Sequence, residues 1–487
     1  MHNHPTATEP QETADAVGGR KRVIIILGTI AVAASTYAVT RSTAGEMGAR
    51  ALAILVASAV LWATEALPLF ATSFVVIGLE ILTLADEGGL ADQITSLLAA
   101  LGIPIYPSPA ARPMSAATFL RPFSQDIVIL FMGGFLISAA MTKHGVGRIL
   151  AAWFLHRFTH SPVRLLYAVL AMSAFFSMWM SNTATSAMMI AVTAPLLAAI
   201  PSADRFRSGL LLAVAFGANL GGLATPIGTP PNAIAYGALN AAGYQISFLR
   251  WMMVVVPLQL LTLAGTGWLL YFFFRPRPEL TIPALSTPET MTIRGKITLG
   301  VLALTVALWL TNAWHGLTPG AVALLAAGAL TAIGVLDDKD IGSIDWSILV
   351  LMWGGLSLGV ALQESGLASY LAQADFASTI PQSWGLALFT VVVSMLMSTF
   401  MSNTATAALL VPMALALPAP ENREVAMLAA LACSFGMALP ISTPPNLVVY
   451  STGTITSQEM RRSGAIVAVA GAVLLLLGFR IMLPLAF

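Results

Sequence analysis

The sequence predicts an all-α polytopic membrane protein built from two inverted repeats. Three observations carry that expectation: an apolar composition, a polar hexapeptide that recurs inside apolar runs, and opposite charge flanking its two copies. Of 487 residues, 57% are hydrophobic and 9% charged, with a mean hydropathy of +0.84. That composition excludes an ordinary soluble domain. Apolar stretches recur at 23–40, 50–62, 127–142, 250–274, 298–310, 319–336 and 463–479. They carry Leu, Ala, Val and Met at helical period rather than strand alternation, and helices satisfy every backbone polar group within lipid.

Residues 1–22 read as a polar cytoplasmic tail closing on Arg20-Lys21-Arg22, and 23–45 as the first transmembrane helix. No small-residue cleavage pattern follows closely, so that helix is expected to be retained as an anchor. The single cysteine, Cys433, excludes an intrachain disulfide. A net charge of +1 without a basic stripe gives no nucleic-acid partner.

"MSNTAT" occupies 180–185 and again 401–406, a spacing of 221. The same spacing relates Gly133-Gly134 to Gly354-Gly355, Gly145 to Gly366 and Ser177 to Ser398. Upstream, Leu61-Trp62-Ala63-Thr64 echoes Leu308-Trp309-Leu310-Thr311; downstream, "GTPPN" at 228–232 answers "STPPN" at 442–446, now 214 apart. Markers kept in one order point to internal duplication. Between Asp126 and Ser202 the charged side chains are Lys143, Arg148, Arg157 and Arg164; the corresponding stretch from Asp345 to Pro420 holds Glu364 and Asp375 and no Lys or Arg. By the positive-inside rule the first approach is cytoplasmic and the second external, so the copies are inverted.

Repeat 1 is placed at 46–274, with scaffold helices in 50–143, a re-entrant hairpin at 162–202, a broken helix at 208–237 and a helix at 250–274. A cytoplasmic linker at 275–297 carries Arg275, Arg277, Arg294 and Lys296. Repeat 2 fills 298–487, with scaffold helices in 298–363, a hairpin at 382–420, a broken helix at 424–457 and a helix at 463–484. About 11 spans plus the two hairpins place the amino terminus in the cytoplasm and the carboxyl terminus outside. Arg41 and Arg50 are then exceptions on the external side.

One straight helix from Pro162 to Pro201 would be about 60 Å long, too long for a hydrocarbon core of about 30 Å. A hairpin fits, with Ser181-Asn182-Thr183 at its tip capping the second arm. Thr229-Pro230-Pro231 and Thr443-Pro444-Pro445 place a Thr cap before Pro at the first helical position, starting a new half-helix. Up to four half-helix amino termini then converge, the ingredients of an anion site. No Lys or Arg lies within these motifs, while hydroxyls, amides and free carbonyls are hard ligands for a small cation, one site per half. Ser177 and Ser398 stand one turn before Ser181 and Ser402. The alternative readings are interhelical hydrogen bonding for the triplets and simple kinks for the Pro pairs. Glu65, in "WATEALPL", reads as an ion relay or as a helix-end partner, the latter because Asn312 stands in its place in the second copy. His156 and His160 share a face without an intervening Glu and read as a solvated face. Without a nucleophile and base or a metal set, an enzyme is not expected.

The paired "MSNTAT" stretches, the two Thr-Pro-Pro-Asn breaks, "WATEALP" and "ALPISTPPNLVV" at 438–449 together resemble the divalent anion:sodium symporter family, from about residue 50 to the end. The resemblance implies a scaffold domain that dimerises and a transport domain that slides as an elevator, in the cell (inner) membrane. It implies one sodium site at Ser177, Ser181, Asn182 and Gly228 and a second at Ser398, Ser402, Asn403 and Ser442. Substrate carboxylates would meet Asn182, Thr183, Asn403, Thr404, Thr443 and Pro444, and repeat symmetry adds Thr229. The implied function is sodium-coupled import of C4-dicarboxylates such as succinate, malate or fumarate. Sulfate or citrate symport and sodium-independent dicarboxylate exchange are the alternatives.

Overall fold

The computed structural model describes residues 9–86, 90–106, 111–112, 114–278, 280, 282, 290–368, 370, 384–417 and 422–487. Residues 1–8 of the tail with His2 and His4, much of the 275–297 linker, Asp375, and positions 382–383 and 418–420 of the second hairpin lie outside the described residues. The described elements are helical throughout, and eight helices are long and apolar enough to cross a bilayer.

In chain order the first half comprises α1 (Glu9–Thr64), α2 (Leu69–Leu84), α3 (Leu90–Ala100), α4 (Ala116–Leu120), α5 (Asp126–Lys143), α6 (Val146–Leu155), α7 (Pro162–Ser177), α8 (Asn182–Ala199), α9 (Phe206–Gly221), α10 (Pro230–Ala241) and α11 (Phe248–Phe273). The second comprises α12 (Ile293–Leu310), α13 (Asn312–His315), α14 (Pro319–Ala332), α15 (Asp338–Gly342), α16 (Trp346–Glu364), α17 (Trp384–Phe400), α18 (Asn403–Ala416), α19 (Asn422–Cys433), α20 (Pro444–Tyr450) and α21 (Ser457–Ile481). The continuous run α1 breaks at Gly45, whose φ of 72° and ψ of 169° are not helical. Only glycine enters that region without strain.

Each Gly-Gly pair that marks the repeat holds a close-approach position. A Cβ on Gly133 would stand 2.6 Å from the Ala323 Cβ of α14, and one on Gly354 2.5 Å from the Ser73 Cβ of α2. A side chain at either place would therefore force α5 off α14 or α16 off α2. The Trp echo is structural as well: Trp62 Nε1 donates to Leu69 O at 3.3 Å and Trp309 Nε1 to Pro319 O at 3.0 Å, each fastening a corner between helices.

Ionisable groups inside apolar helices find partners. Glu46 accepts two bonds from Arg50, the closer at 2.8 Å, and one from Tyr37, while Arg50 also reaches Thr83 O and Thr95 Oγ1. The buried Arg50 charge is thus balanced inside the helix packing, which removes its conflict with the charge rule. Glu80 on α2 is buried against α16 and accepts from Ser357. Asp126 accepts from Thr318 and from Gly320 N at the start of α14.

The two halves interlock. Hairpin arm α7 packs on its own broken helix α9, and α17 on α19, whereas α10 packs on α18 and α20 on α8. Each break is therefore seated on the other half's hairpin, which brings both tips and both breaks to one central region. The helices just before the breaks, α9 and α19, are buried along their whole described lengths save Arg207, Asn422 and Arg423.

Candidate functional site

The tips and breaks surround a cavity of about 620 Å³. Hairpin one contributes Ser181, Asn182 and Thr183, and hairpin two contributes Thr399, Phe400, Met401, Ser402, Asn403 and Thr404. The breaks add Asn219, Gly228, Thr229 and Pro230 from one half, and Ser442, Thr443 and Pro444 from the other. Phe131, Phe135 and Ile348 from α5 and α16, with Ala63, Thr64 and Glu65 at the end of α1, complete the lining. All seven residues named for substrate, Asn182, Thr183, Thr229, Asn403, Thr404, Thr443 and Pro444, line this one space. So do six of the eight named for cations; Ser177 and Ser398 lie buried just behind the tips.

Behind each tip the oxygens gather in the same way. Ser177 Oγ lies 2.6 Å from Asn182 Oδ1 and 2.7 Å from Ala218 O. One hydroxyl proton can serve only one of those two acceptors. Ser398 repeats both contacts with Asn403 Oδ1 and Cys433 O. Two clusters of closely spaced oxygens lie behind the same cavity and reach it through Asn182 and Asn403, and clustered oxygens of this kind suit a hard monovalent cation.

Capping is less symmetric than the motifs. Ser181 Oγ accepts from Ala184 N at 3.2 Å and caps α8, but Ser402 makes no capping bond to α18. Thr443 Oγ1 accepts weakly from Asn446 N at 3.4 Å, whereas Thr229 makes no capping bond to α10. The Pro pairs, identical in the two breaks, leave only the third helical N–H for a Thr to cap. They also remove donors from any bound anion. The strong amino-terminal fields therefore come from the hairpin arms α8 and α18, and the seven-residue α20 adds little.

The Asn that closes each Thr-Pro-Pro-Asn motif has a structural duty the sequence did not announce. Asn232 Nδ2 reaches the carbonyls of Gly222, Leu223 and Thr225 at 2.9–3.0 Å. Asn446 Nδ2 reaches those of Met437 and Leu439 at 2.8 and 2.9 Å. Trp251 donates to Leu223 O and Gln259 to Gly221 O. Many carbonyls expected to be free where the helix unwinds thus already accept bonds, Ala218 O from Gly222 N and Cys433 O from Gly436 N among them. Asn219 Nδ2 donates to Asn446 Oδ1 at 3.0 Å and ties one break to the other. Its only signal in sequence is an amide inside the apolar run "AFGANLGG".

The family described as Citrate transporter matches residues 59–432 and again 313–487. The chain belongs to the citrate transporter family. It is accordingly a multi-pass membrane transporter and not an enzyme. The sodium-dependent dicarboxylate transporter SdcS of Staphylococcus saprophyticus is 25% identical over 94% of this chain and 91% of its own length. The protein of that name from Staphylococcus aureus USA300 is 26% identical over 90% and 86%. An uncharacterized transporter of Schizosaccharomyces pombe is 28% identical over 81% of this chain, which spans only 44% of that relative. Among solved structures, the Alcanivorax borkumensis YdaH transporter aligns with a TM-score of 0.47 at 16% identity, over 75% of this chain and 90% of that one.

Proposed function

We propose that this transporter imports C4-dicarboxylates such as succinate, malate or fumarate in symport with sodium, one cation behind each hairpin tip. The observation that carries the proposal is the pair of oxygen clusters, Ser177–Asn182–Ala218 O and Ser398–Asn403–Cys433 O, behind the two hairpin tips that line one cavity. The lining residues include no Lys or Arg, so an anion held there relies on hydroxyls, amides, the α8 and α18 amino termini and the cations themselves. The SdcS relatives support sodium and dicarboxylate as the ligands. In this proposal the cations bind first and neutralise the substrate. Where their charge exceeds that of the substrate, the membrane potential adds about 2.3 kcal/mol per net charge per 100 mV.

The transporter would work as a homodimer in the cell inner membrane, amino terminus in the cytoplasm and carboxyl terminus outside, with hairpins and breaks moving as an elevator against the scaffold. Labelled succinate should accumulate in proteoliposomes only under an inward sodium gradient, and unlabelled citrate and sulfate should compete more weakly than malate. Accumulation that needs internal succinate and ignores sodium would make the protein an exchanger and leave the paired clusters without their cations.

Ser442 stands where the first half has Gly228, and its hydroxyl donates to Leu439 O at 2.8 Å. A hydroxyl that donates there can still accept or ligate through its lone pairs, and Ser442 lines the cavity. Ser442→Gly is expected to raise the sodium concentration for half-maximal uptake about 3- to 10-fold, the scale of one hydrogen-bond-sized contact, with the ranking of competing anions unchanged. Unaltered sodium dependence would remove Ser442 from the ligand set.

A further inference from the structure

We infer that Asn219 reads the hydroxyl of a hydroxydicarboxylate: its side-chain oxygen is a fixed hydrogen-bond acceptor in the central cavity and takes the 2-hydroxyl proton of a substrate such as malate. This rests on the dicarboxylate reading above and deepens it.

The orientation of the Asn219 amide is set by its neighbour. Asn446 is fully buried, and its Nδ2 donates to Met437 O and Leu439 O at 2.8 and 2.9 Å. Carbonyls only accept, so the nitrogen of Asn446 must face them and its Oδ1 must face the other way. Asn219 Nδ2 supplies the donor which that oxygen needs, at 3.0 Å. A flipped Asn219 would set oxygen against oxygen. Asn219 Oδ1 is therefore held on the side away from Asn446. No described residue donates to it, and it is not enclosed as the unpartnered Oδ1 of Asn232 is. Asn219 is 2% exposed, and the surface it keeps lines the central cavity. A polar oxygen left open in an otherwise buried residue is available to a ligand.

Repeat symmetry makes this acceptor one-sided. The spacing of 214 that relates the two breaks carries Asn232 to Asn446 and Asn219 to Cys433. Cys433 donates its thiol to Ala429 O, on its own helix, so the second half offers no equivalent amide. The neighbours of Asn219 touch the first hairpin tip: Ala218 O accepts from Ser177 Oγ, and a Cβ on Gly222 would stand 2.9 Å from Asn182 Oδ1. Its own amide reaches the second break. Asn219 thus stands at the seam between the halves. A C4-dicarboxylate with one carboxylate toward each tip carries its two middle carbons across that seam, and malate bears its hydroxyl on one of them. Succinate has no proton to give there, whereas a hydroxyl satisfies the open oxygen. An acceptor on one side of the seam also separates the two enantiomers of malate.

The test is competition against labelled succinate on the purified full-length protein at saturating sodium, using unlabelled succinate, each malate enantiomer and 2-fluorosuccinate, which places a polar atom at the same carbon but has no proton to donate. Wild type and Asn219→Cys are compared, with thermal unfolding as a folding check. Wild type should bind one malate enantiomer about 3- to 10-fold tighter than succinate, the scale of one neutral hydrogen bond, and 2-fluorosuccinate no tighter than succinate. In Asn219→Cys the preference for malate over succinate should vanish, whatever happens to the two affinities together. Three results would overturn the inference: wild type without a malate preference, a preference shared by 2-fluorosuccinate, or a preference kept by Asn219→Cys. A shifted sodium requirement in Asn219→Cys with the preference intact would make Asn219 a cation ligand and overturn it as well. The wild-type arms decide the matter even where Asn219→Cys fails to fold. A malate preference in wild type that ignores sodium would remove the symport proposal and leave the role of Asn219 standing, and no binding of succinate or malate at any sodium concentration would remove both.

Discussion

Asn182→Ala is expected to cut sodium-driven uptake at least about 100-fold, and Asn403→Ala to do the same, with both variants still folding. Each amide stands at two functions at once. Its Oδ1 closes the oxygen cluster with Ser177 or Ser398 behind the tip, while the residue itself lines the cavity in front. Under the proposed symport, truncation removes a cation ligand and a substrate contact together. It also leaves the seryl hydroxyl with only the carbonyl of Ala218 or Cys433 as partner. The loss should appear in direct sodium binding as one cation fewer per chain, and in transport as near-complete loss, if the proposed cations and substrate bind through the same residue. Normal sodium binding by both variants would place the cations elsewhere.

The hairpin, the break and their duplication were legible in the sequence because each is local. A polar triplet inside an apolar run too long for one span, or a Thr before two prolines, carries its geometry within a dozen residues. What the sequence withheld are contacts between distant segments. Ser177 meets Ala218 O across 41 positions, and Asn219 meets Asn446 across 227. Neither register follows from spacing. The four expected caps reduce to two for a related reason: whether a hydroxyl turns to its own helix or away depends on what packs over it, which the motif does not encode. Glu65 was visible as an anomaly from the start. Its placement at the central cavity required the corner that Trp62 holds, an arrangement only the folded chain displays.

The break of the first half should be the least tolerant backbone in the protein. Gly222 and Gly228 face each other across it: a Cβ on Gly222 would lie 2.8 Å from Gly228 O and 2.9 Å from Asn182 Oδ1, and one on Gly228 2.4 Å from Gly222 O. The obstructing atoms are mostly backbone, fixed in turn by Asn232, which binds the carbonyls of Gly222, Leu223 and Thr225. The one movable atom, Asn182 Oδ1, is the oxygen that meets Ser177 Oγ in the proposed cation cluster. Gly222→Ala is therefore expected to abolish sodium-dependent uptake, a loss of at least about 100-fold, because relief of the clash displaces either the break or the ligand. Gly228→Ser should be equally damaging, although it merely copies the residue found at Ser442. The second half accommodates that serine because its corresponding glycine, Gly436, is crowded by Ser398 rather than by the facing arm of its own break. Duplicated motifs here share a plan without being interchangeable. Sodium-dependent uptake and sodium binding by Gly222→Ala, Gly228→Ser and Ser442→Gly, each checked for folding by thermal unfolding, would decide it: two inactive first-half variants beside an active second-half variant is the expected pattern, and wild-type sodium affinity in Gly222→Ala would show that the break does not shape the cation site.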